Sequence, residues 1–379
     1  MSLILPAGLL LPPPGAKFDA TNERITRALI ERWAKAVEAA VLAVNTRVDN
    51  LPGGGGTGDT TPASITIDPS PVYLWAGMTQ TLTATVLNAG GTEITGETVT
   101  WSSSDTGVVT VNTSGICTPI ASGTATITAT DGSITQDVAV TVIAGPDLWL
   151  SGQDIDTADG VAMDSWPARE AAGGVNVTQS SSARPIARLT STTLMHNLPA
   201  AQFDGVDDCF SNSGLTKWGQ YSGRSGLTVF VVAQLDSAPS NKGGLISTDS
   251  GNTSDRGWAI AFTAGGAPQF WVPTSTSAQT VRTGSSNRKG LASVVRGRYD
   301  GGAGELSVWV NGANDDGTIA GSVPATIANN GSGNFIGKDG WSGEQLKGYI
   351  GDILVFNVAL TDAECAAVEA FLMDKYAIV

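Results

Sequence analysis

One histidine, three cysteines and a thin scatter of glutamates narrow the chemistry open to this chain of 379 residues. A serine nucleophile needs a base, and His196 stands in Leu194-Met-His-Asn-Leu198 with no motif around it. Cys117, Cys209 and Cys365 show no Cys-x-x-Cys spacing. They predict neither a zinc site nor a disulfide framework and read as small buried hydrophobes. From residue 147 onward the glutamates are Glu170, Glu305, Glu344, Glu364 and Glu369, too dispersed to form a catalytic carboxylate pair on one strand. Aromatic residues offer more. Trp218 and Tyr221, in Thr216-Lys-Trp-Gly-Gln-Tyr221, and Trp341, in Lys338-Asp-Gly-Trp-Ser-Gly343, lie in glycine-rich loops. A ring exposed on such a loop is a stacking platform for a sugar, so these three are the candidate glycan-binding residues. Trp149, Trp166 and Trp309 occupy strand-like positions and read as core, while Trp258 and Trp271 fit either role.

The loops need strands to hold them, and turn signals place those strands. Asp-Gly and Asn-Gly accept positive φ at low cost and mark hairpins between β-branched or aromatic runs. Residues 199–212 (Phe203-Asp-Gly-Val-Asp-Asp208 at their centre) read as strand, acidic turn, strand, and so do residues 291–312 around Tyr299-Asp-Gly301 and Asn311-Gly312. Turn hydrogen bonding alone explains Asp204 and Asp207. Further upstream, strands are expected at 64–67, 80–87, 98–101, 108–111, 123–130 and 136–143, with strict alternation in Thr124-Ala-Thr-Ile-Thr-Ala-Thr130. A short helix closes the chain, with Thr361 and Glu364 forming a capping box and Cys365, Val368 and Leu372 on one face.

The N-terminal region differs in kind. Over residues 19–51, Ile30, Ala34, Val37, Val41, Val44, Val48 and Leu51 recur at alternating spacings of four and three. That is a heptad seam, and its β-branched residues favour a trimeric coiled coil; a helix packed on its own domain is the alternative. Pro52 and Gly53-Gly-Gly-Gly56 make residues 52–61 a hinge. Residues 1–18 are apolar but lack a basic flank and are broken by Pro6 and Pro12-Pro-Pro14. They read as a retained docking peptide more than a cleaved leader.

Charge excludes one class of partner. The net charge is −14, and residues 60–147 contain no Lys or Arg. A chain without clustered basic residues is a poor nucleic-acid binder. No run of about 20 apolar residues is present, so no helical membrane span is expected.

Residues 62–145 resemble a bacterial immunoglobulin-like domain of group 2, through Leu82-Thr-Ala-Thr-Val86, Val99-Thr-Trp101-Ser-Ser-Ser-Asp105, Val109-Thr-Val111 and Ala121-Ser-Gly123-Thr-Ala-Thr-Ile127. The resemblance implies a spacer sandwich. Residues 147–379 resemble the laminin-G-like jelly rolls of the concanavalin A-like superfamily, through Phe203-Asp-Gly-Val-Asp-Asp208, Leu227-Thr-Val229-Phe-Val231, Leu306-Ser-Val-Trp309-Val-Asn311-Gly312 and Lys347-Gly-Tyr-Ile350-Gly-Asp352. That resemblance implies one calcium ion near a sheet rim, with Asp207 and Asp208 as ligand candidates together with Asp154, Asp156 and Asp159 in the opening loop; Asp315 and Asp316 make another exposed pair. Hydrolases of the superfamily carry Glu-x-Asp-x-x-Glu on a strand, a motif absent here, so no enzyme is expected. The fold class expected is mainly β: N-terminal helix, Ig-like sandwich, then jelly roll. Its layout predicts a homotrimeric phage fibre or head-decoration protein assembled in the bacterial cytoplasm and sited on the virion surface. Residues 1–18 would dock on a capsid or tail protein, and the last domain would meet host-surface glycans. A structural decoration protein without sugar binding and a secreted bacterial adhesin are the alternatives.

Overall fold

The computed structural model describes residues 59–169, 177–179, 181–189, 195, 198–211, 221–237, 243–250, 254–329, 331, 333–340 and 342–378. The expected docking peptide, coiled coil and most of the hinge lie outside these residues. Among the described residues the fold is mainly β, with two sandwiches and a C-terminal helix.

The first sandwich builds a four-stranded sheet in the order Val72–Leu74, Ile134–Val142, Gly123–Asp131, Thr100–Ser103. Its first pair is parallel and the others antiparallel. A three-stranded sheet (Gln80–Thr81, Ile116–Pro119, Val109–Val111) faces it, and Ser64–Asp68 pairs with Thr83–Leu87. Alternation in Gly123–Asp131 sends Ala125, Ile127 and Ala129 inward, and the core closes on Leu74, Leu82, Val109, Cys117 and Val140. Trp101 packs half-buried on this core. Gly115 sits beneath the indole at φ +75°, where a Cβ would come within 2.5 Å of the Leu82 carbonyl oxygen.

The second sandwich stacks two large sheets. One runs Ile186–Arg188, Ala200–Asp204, Lys347–Phe356, Gly226–Leu235, Ala292–Asp300, Glu305–Val310, Ala313–Asn314, with Leu148–Ser151 also paired to Lys347–Phe356. The other runs Phe210–Ser211, Phe335–Ile336, Gly243–Ser247, Ala259–Phe262, Pro268–Pro273, Gln279–Gly284, Asp316–Ala320. The central strands Gly226–Leu235 and Lys347–Phe356 are almost wholly buried, because both faces are covered. Val229, Val231, Ile353 and Val355 point between the sheets, while Phe230, Val232, Leu354 and Phe356 point outward beneath the helix.

One expected hairpin forms and the other does not. Ala292–Asp300 and Glu305–Val310 pair directly, and Asn311 (φ 49°) and Gly312 (φ 71°) turn the next strand back. The acidic turn at 204–208 corrects the hairpin expected for residues 199–212. Ala200–Asp204 belongs to the eight-stranded sheet and Phe210–Ser211 to the seven-stranded one. Asp-Gly supplies the reversal, but the apolar faces of the two short strands are claimed by Lys347–Phe356 and Phe335–Ile336 before they can pair with each other.

The C-terminal helix, Asp362–Lys375, starts as its sequence predicts: the Glu364 N–H donates to Thr361 Oγ, and Glu364 Oε2 accepts from the Thr361 N–H. Beside the apolar face formed by Cys365, Val368 and Leu372 it buries Glu369, which lies 3.4 Å from Arg296. The Arg296 guanidinium also stacks 4.1 Å from the half-buried Trp309 ring. At the other end of the helix, Lys375 Nζ reaches both carboxylate oxygens of Asp352.

The two sandwiches are packed together within one compact unit, Thr61–Ile378. Trp75 of the first is only 1% exposed. Its ring lies 6.0 Å from Trp149 and 5.2 Å, edge-on, from Phe371 of the helix. Ile143 and the partly buried Tyr73 and Met78 join the same apolar cluster. The connecting segment is short and held at both ends, by the Ile143 N–H donating to the Leu74 carbonyl and the Asp147 N–H to that of Val355. A freely moving spacer does not describe this arrangement.

Candidate functional site

The acidic turn crosses from one sheet to the other at the rim, and its backbone defines the geometry. Asp204 ends its strand, and Gly205 at φ +80° folds the chain against Lys347, whose Cβ would be 2.7 Å from any Cβ added there. Asp204 Oδ1 accepts from the Val206 N–H at 2.7 Å and the Asp207 N–H at 3.3 Å. Asp208 Oδ2 in turn accepts from the Asp204 N–H at 2.9 Å. One carboxylate oxygen from each of Asp204, Asp207 and Asp208 falls within 4.8 Å of the others. Asp204 and Asp207 are exposed, whereas Asp208 is 6% exposed.

Three carboxylates so close together suit a hard cation, which oxygen ligands bind without softer donors. Asp207 and Asp208 are thus brought together, and Asp204, read from sequence as a turn former only, joins them. Its Asx-turn signal masked this second capacity. The remaining acids are engaged otherwise or stand apart. Asp154 is ion-paired to Arg169, whose guanidinium lies 4.9 Å from the Trp149 ring. Asp159 accepts from the Leu189 N–H, and Asp156 is exposed. Asp315, expected to be exposed, is buried and bridges the backbone and hydroxyls of Ser285 and Ser286. Asp316 accepts from the Val308 N–H and faces Arg282 at 3.5 Å.

Burial pushes the Asp208 carboxyl up to about 6; the Asp204 N–H opposes the rise, and the neighbouring Asp204 and Asp207 charges add to it. The folded protein therefore holds this proton more tightly than the unfolded chain. Its stabilising contribution is full below the ordinary value of 3.8 and is lost as the pH rises through about 6. Asp208→Asn keeps the acceptor for the Asp204 N–H without the charge. Urea midpoints of the two proteins should coincide near pH 4 and separate by pH 7.5, with the variant more stable by up to about 3 kcal/mol.

The expected glycan-binding residues fare differently. Tyr221 is 1% exposed, with its hydroxyl donating to Asp147 Oδ2 at 3.0 Å and its ring 6.1 Å from Trp258. This corrects its assignment to a sugar platform: an aromatic body beside a buried indole and a hydroxyl within reach of a carboxylate favour the interior. Trp218 and Trp341 lie outside the described residues, as does His196. Trp149, Trp166, Trp258 and Trp271 are all buried, so none of the four offers an open stacking face.

Residues 213–366 match the model of the concanavalin A-like lectin/glucanases superfamily, and residues 62–142 match that of the bacterial Ig-like domain, group 2. The chain thus carries a bacterial Ig-like domain followed by a concanavalin A-like domain. No curated protein matches it. Among solved structures it is similar to the Trypanosoma rangeli sialidase in complex with 2,3-difluoro-KDN, at 15% identity and a TM-score of 0.40, covering 60% of this chain and 32% of the sialidase. This chain therefore spans about a third of that enzyme's length. A second likeness is to the CBM40 of the Ruminococcus gnavus IT-sialidase bound to α2,3-sialyllactose, at 14% identity and a TM-score of 0.36, covering 45% of this chain and 95% of that one. A third is to the ligand-binding domain of botulinum neurotoxin serotype D in complex with N-acetylneuraminic acid, at 10% identity and a TM-score of 0.38, covering 60% and 51%. Among the described residues, no helix is long and apolar enough to cross a membrane.

Proposed function

We propose that the chain is a non-enzymatic appendage of a phage virion, a fibre or head-decoration protein, whose concanavalin A-like domain binds host-surface glycans. The observation that carries this reading is the seating of a lectin-type sandwich on a bacterial Ig-like module, through Trp75, Trp149 and Phe371. A binding domain held this way is presented in a fixed direction. The heptad positions from Ile30 to Leu51 would gather three copies, and linked copies raise avidity through effective concentration without any new contact. Residues 1–18 would supply the attachment to a capsid or tail protein. The absence of Glu-x-Asp-x-x-Glu from the sequence supports binding without hydrolysis. The turn at Asp204, Asp207 and Asp208 would hold calcium, which would also draw the Asp208 proton off.

An array of bacterial envelope polysaccharides, probed with the full chain in calcium and again in EDTA, tests this. Retention of at least one polysaccharide unchanged in length is expected, with weaker signal in EDTA. No binding under either condition, or shortening of the bound polymer, overturns the reading.

A further inference from the structure

The outer face of the eight-stranded sheet is only partly covered by the C-terminal helix. Beyond Val232 and Leu354, the register places Gln202, Tyr349 and Gln234 side by side on three adjacent strands. There Gln234, Leu235, Asp236, Ser237, Gly290 and Tyr349 line a groove of about 250 Å³. Its floor is rigid. Gln234 accepts from the Met195 N–H and donates to the Gly290 carbonyl, and the Gly290 N–H donates to Leu235. Asp236 is tied through its N–H to the Lys347 carbonyl, and its carboxylate lies 3.6 Å from Lys347 Nζ.

Tyr349 is half-buried and packs partly on the apolar cluster under the helix. Its hydroxyl has no hydrogen-bond partner among the described residues. Burial raises its pKa, the Arg188 charge opposes that rise and the Asp236 charge adds to it, so the phenol lies within reach of one charge of each sign. Arg188 is itself held by Gln202, its Nε donating to Oε1. The groove thus joins an aromatic surface, a phenol, a part-exposed carboxylate and a serine rim.

Resting on the glycan-binding reading above, we propose that this groove is the sugar site of the domain and takes one neutral hexopyranose ring. The ring's apolar face lies against Tyr349, and its hydroxyls donate to Asp236 and exchange hydrogen bonds with the phenol. A volume of about 250 Å³ has room for one sugar ring. Among the described residues lining the groove, Asp236 alone is charged, and Lys347 at 3.6 Å offsets it. Sequence inspection passed over Tyr349 because Lys-Gly-Tyr-Ile-Gly-Asp reads as an ordinary strand, and strand alternation alone does not say which outward positions the helix leaves bare.

Saturation-transfer NMR and titration of the full chain with the methyl glycosides of glucose, galactose, mannose and N-acetylglucosamine test the assignment, alongside the polysaccharide array. At least one glycoside is expected to bind. Tyr349→Ala should weaken it tenfold or more, Tyr349→Phe about threefold, and Asp236→Asn about tenfold. Ser237→Trp, which fills the rim and removes no core contact, should abolish binding at an unchanged melting temperature, so the test does not depend on Tyr349→Ala folding. Undiminished binding by Ser237→Trp and Tyr349→Phe, while the wild-type chain binds glycans, overturns the groove and leaves the glycan reading standing. Tighter binding of sialyllactose than of any neutral glycoside overturns the neutral-ring assignment. Failure of the wild-type chain on both glycosides and array overturns both proposals.

Discussion

Lys375→Met should lower the stability of the folded chain by about 3–5 kcal/mol, the usual cost of removing one partner from a buried ion pair. Asp352 is fully buried, and the Lys375 side chain is 9% exposed. The carboxylate accepts from Lys375 Nζ at 2.9 and 3.0 Å, from the Tyr376 hydroxyl at 2.7 Å, from the Gly152 N–H at 3.2 Å and from Trp149 Nε1 at 3.4 Å. Without the ammonium, the buried charge keeps hydrogen bonds from dipoles only, although the Arg169 charge still acts on it. Burial, together with the charge of that carboxylate, holds the Tyr376 phenol well above its ordinary value, so Tyr376 stays a neutral donor and adds no charge of its own. Urea midpoints at pH 7 measure the loss. Adding Asp352→Asn to Lys375→Met should recover part of it, since the amide keeps an acceptor and sheds the charge. A single variant within about 0.5 kcal/mol of wild type, the range of an ordinary surface substitution, would show that the pair does not anchor the helix.

Trp75→Ala should cost a similar amount, about 3–5 kcal/mol, as buried Trp truncations do. Here the loss is concentrated between two domains. The indole fills the space bounded by Trp149 and Phe371, and Gly77 packs 3.5 Å from the Trp149 ring by the distance of an added Cβ. Both flanking strands keep their own cores, Leu74 and Val140 on one side and Ile353 and Val355 on the other. Calorimetry should therefore show one transition in the wild-type chain and two in the variant, as the sandwiches melt separately. Two transitions already in the wild type, unmoved by the substitution, would refute the coupling.

How far the sequence foretold this molecule depended on whether a signal was local. The capping box at Thr361 and Glu364, the Asn311-Gly312 turn and the alternation over Gly123–Asp131 are each decided within a few residues, and each forms as read. Val72–Leu74 and Ile116–Pro119 went unread, because three or four residues beside Pro71 or ending in Pro119 carry too little pattern to announce a strand. The first pairs with Ile134–Val142, far along the chain; the second closes a local hairpin with Val109–Val111 but takes its other neighbour, Gln80–Thr81, from well upstream. Residues 199–212 failed for the same reason, since turn chemistry gives a reversal but not the neighbour each strand will take. Burial of Asp352 and Glu369 was also illegible, for an acid within an apolar stretch says nothing of the Lys375 or Arg296 that will meet it. The site residues divide likewise: proximity of Asp207 and Asp208 is a matter of sequence, whereas Tyr221 turned inward because Asp147 and Trp258, both distant in sequence, receive it.

The acidic turn deserves to be seen as a strap. Asp204 is fastened to one sheet and Phe210 to the other, so the short span between them must accommodate any change in the spacing of the sheets at this rim. The ionisation of Asp208, which changes the repulsion among the three carboxylates, falls within that same span. Pulling the two sheets apart at this rim would load the span from Asp204 to Phe210, and with it the spacing of the three carboxylates.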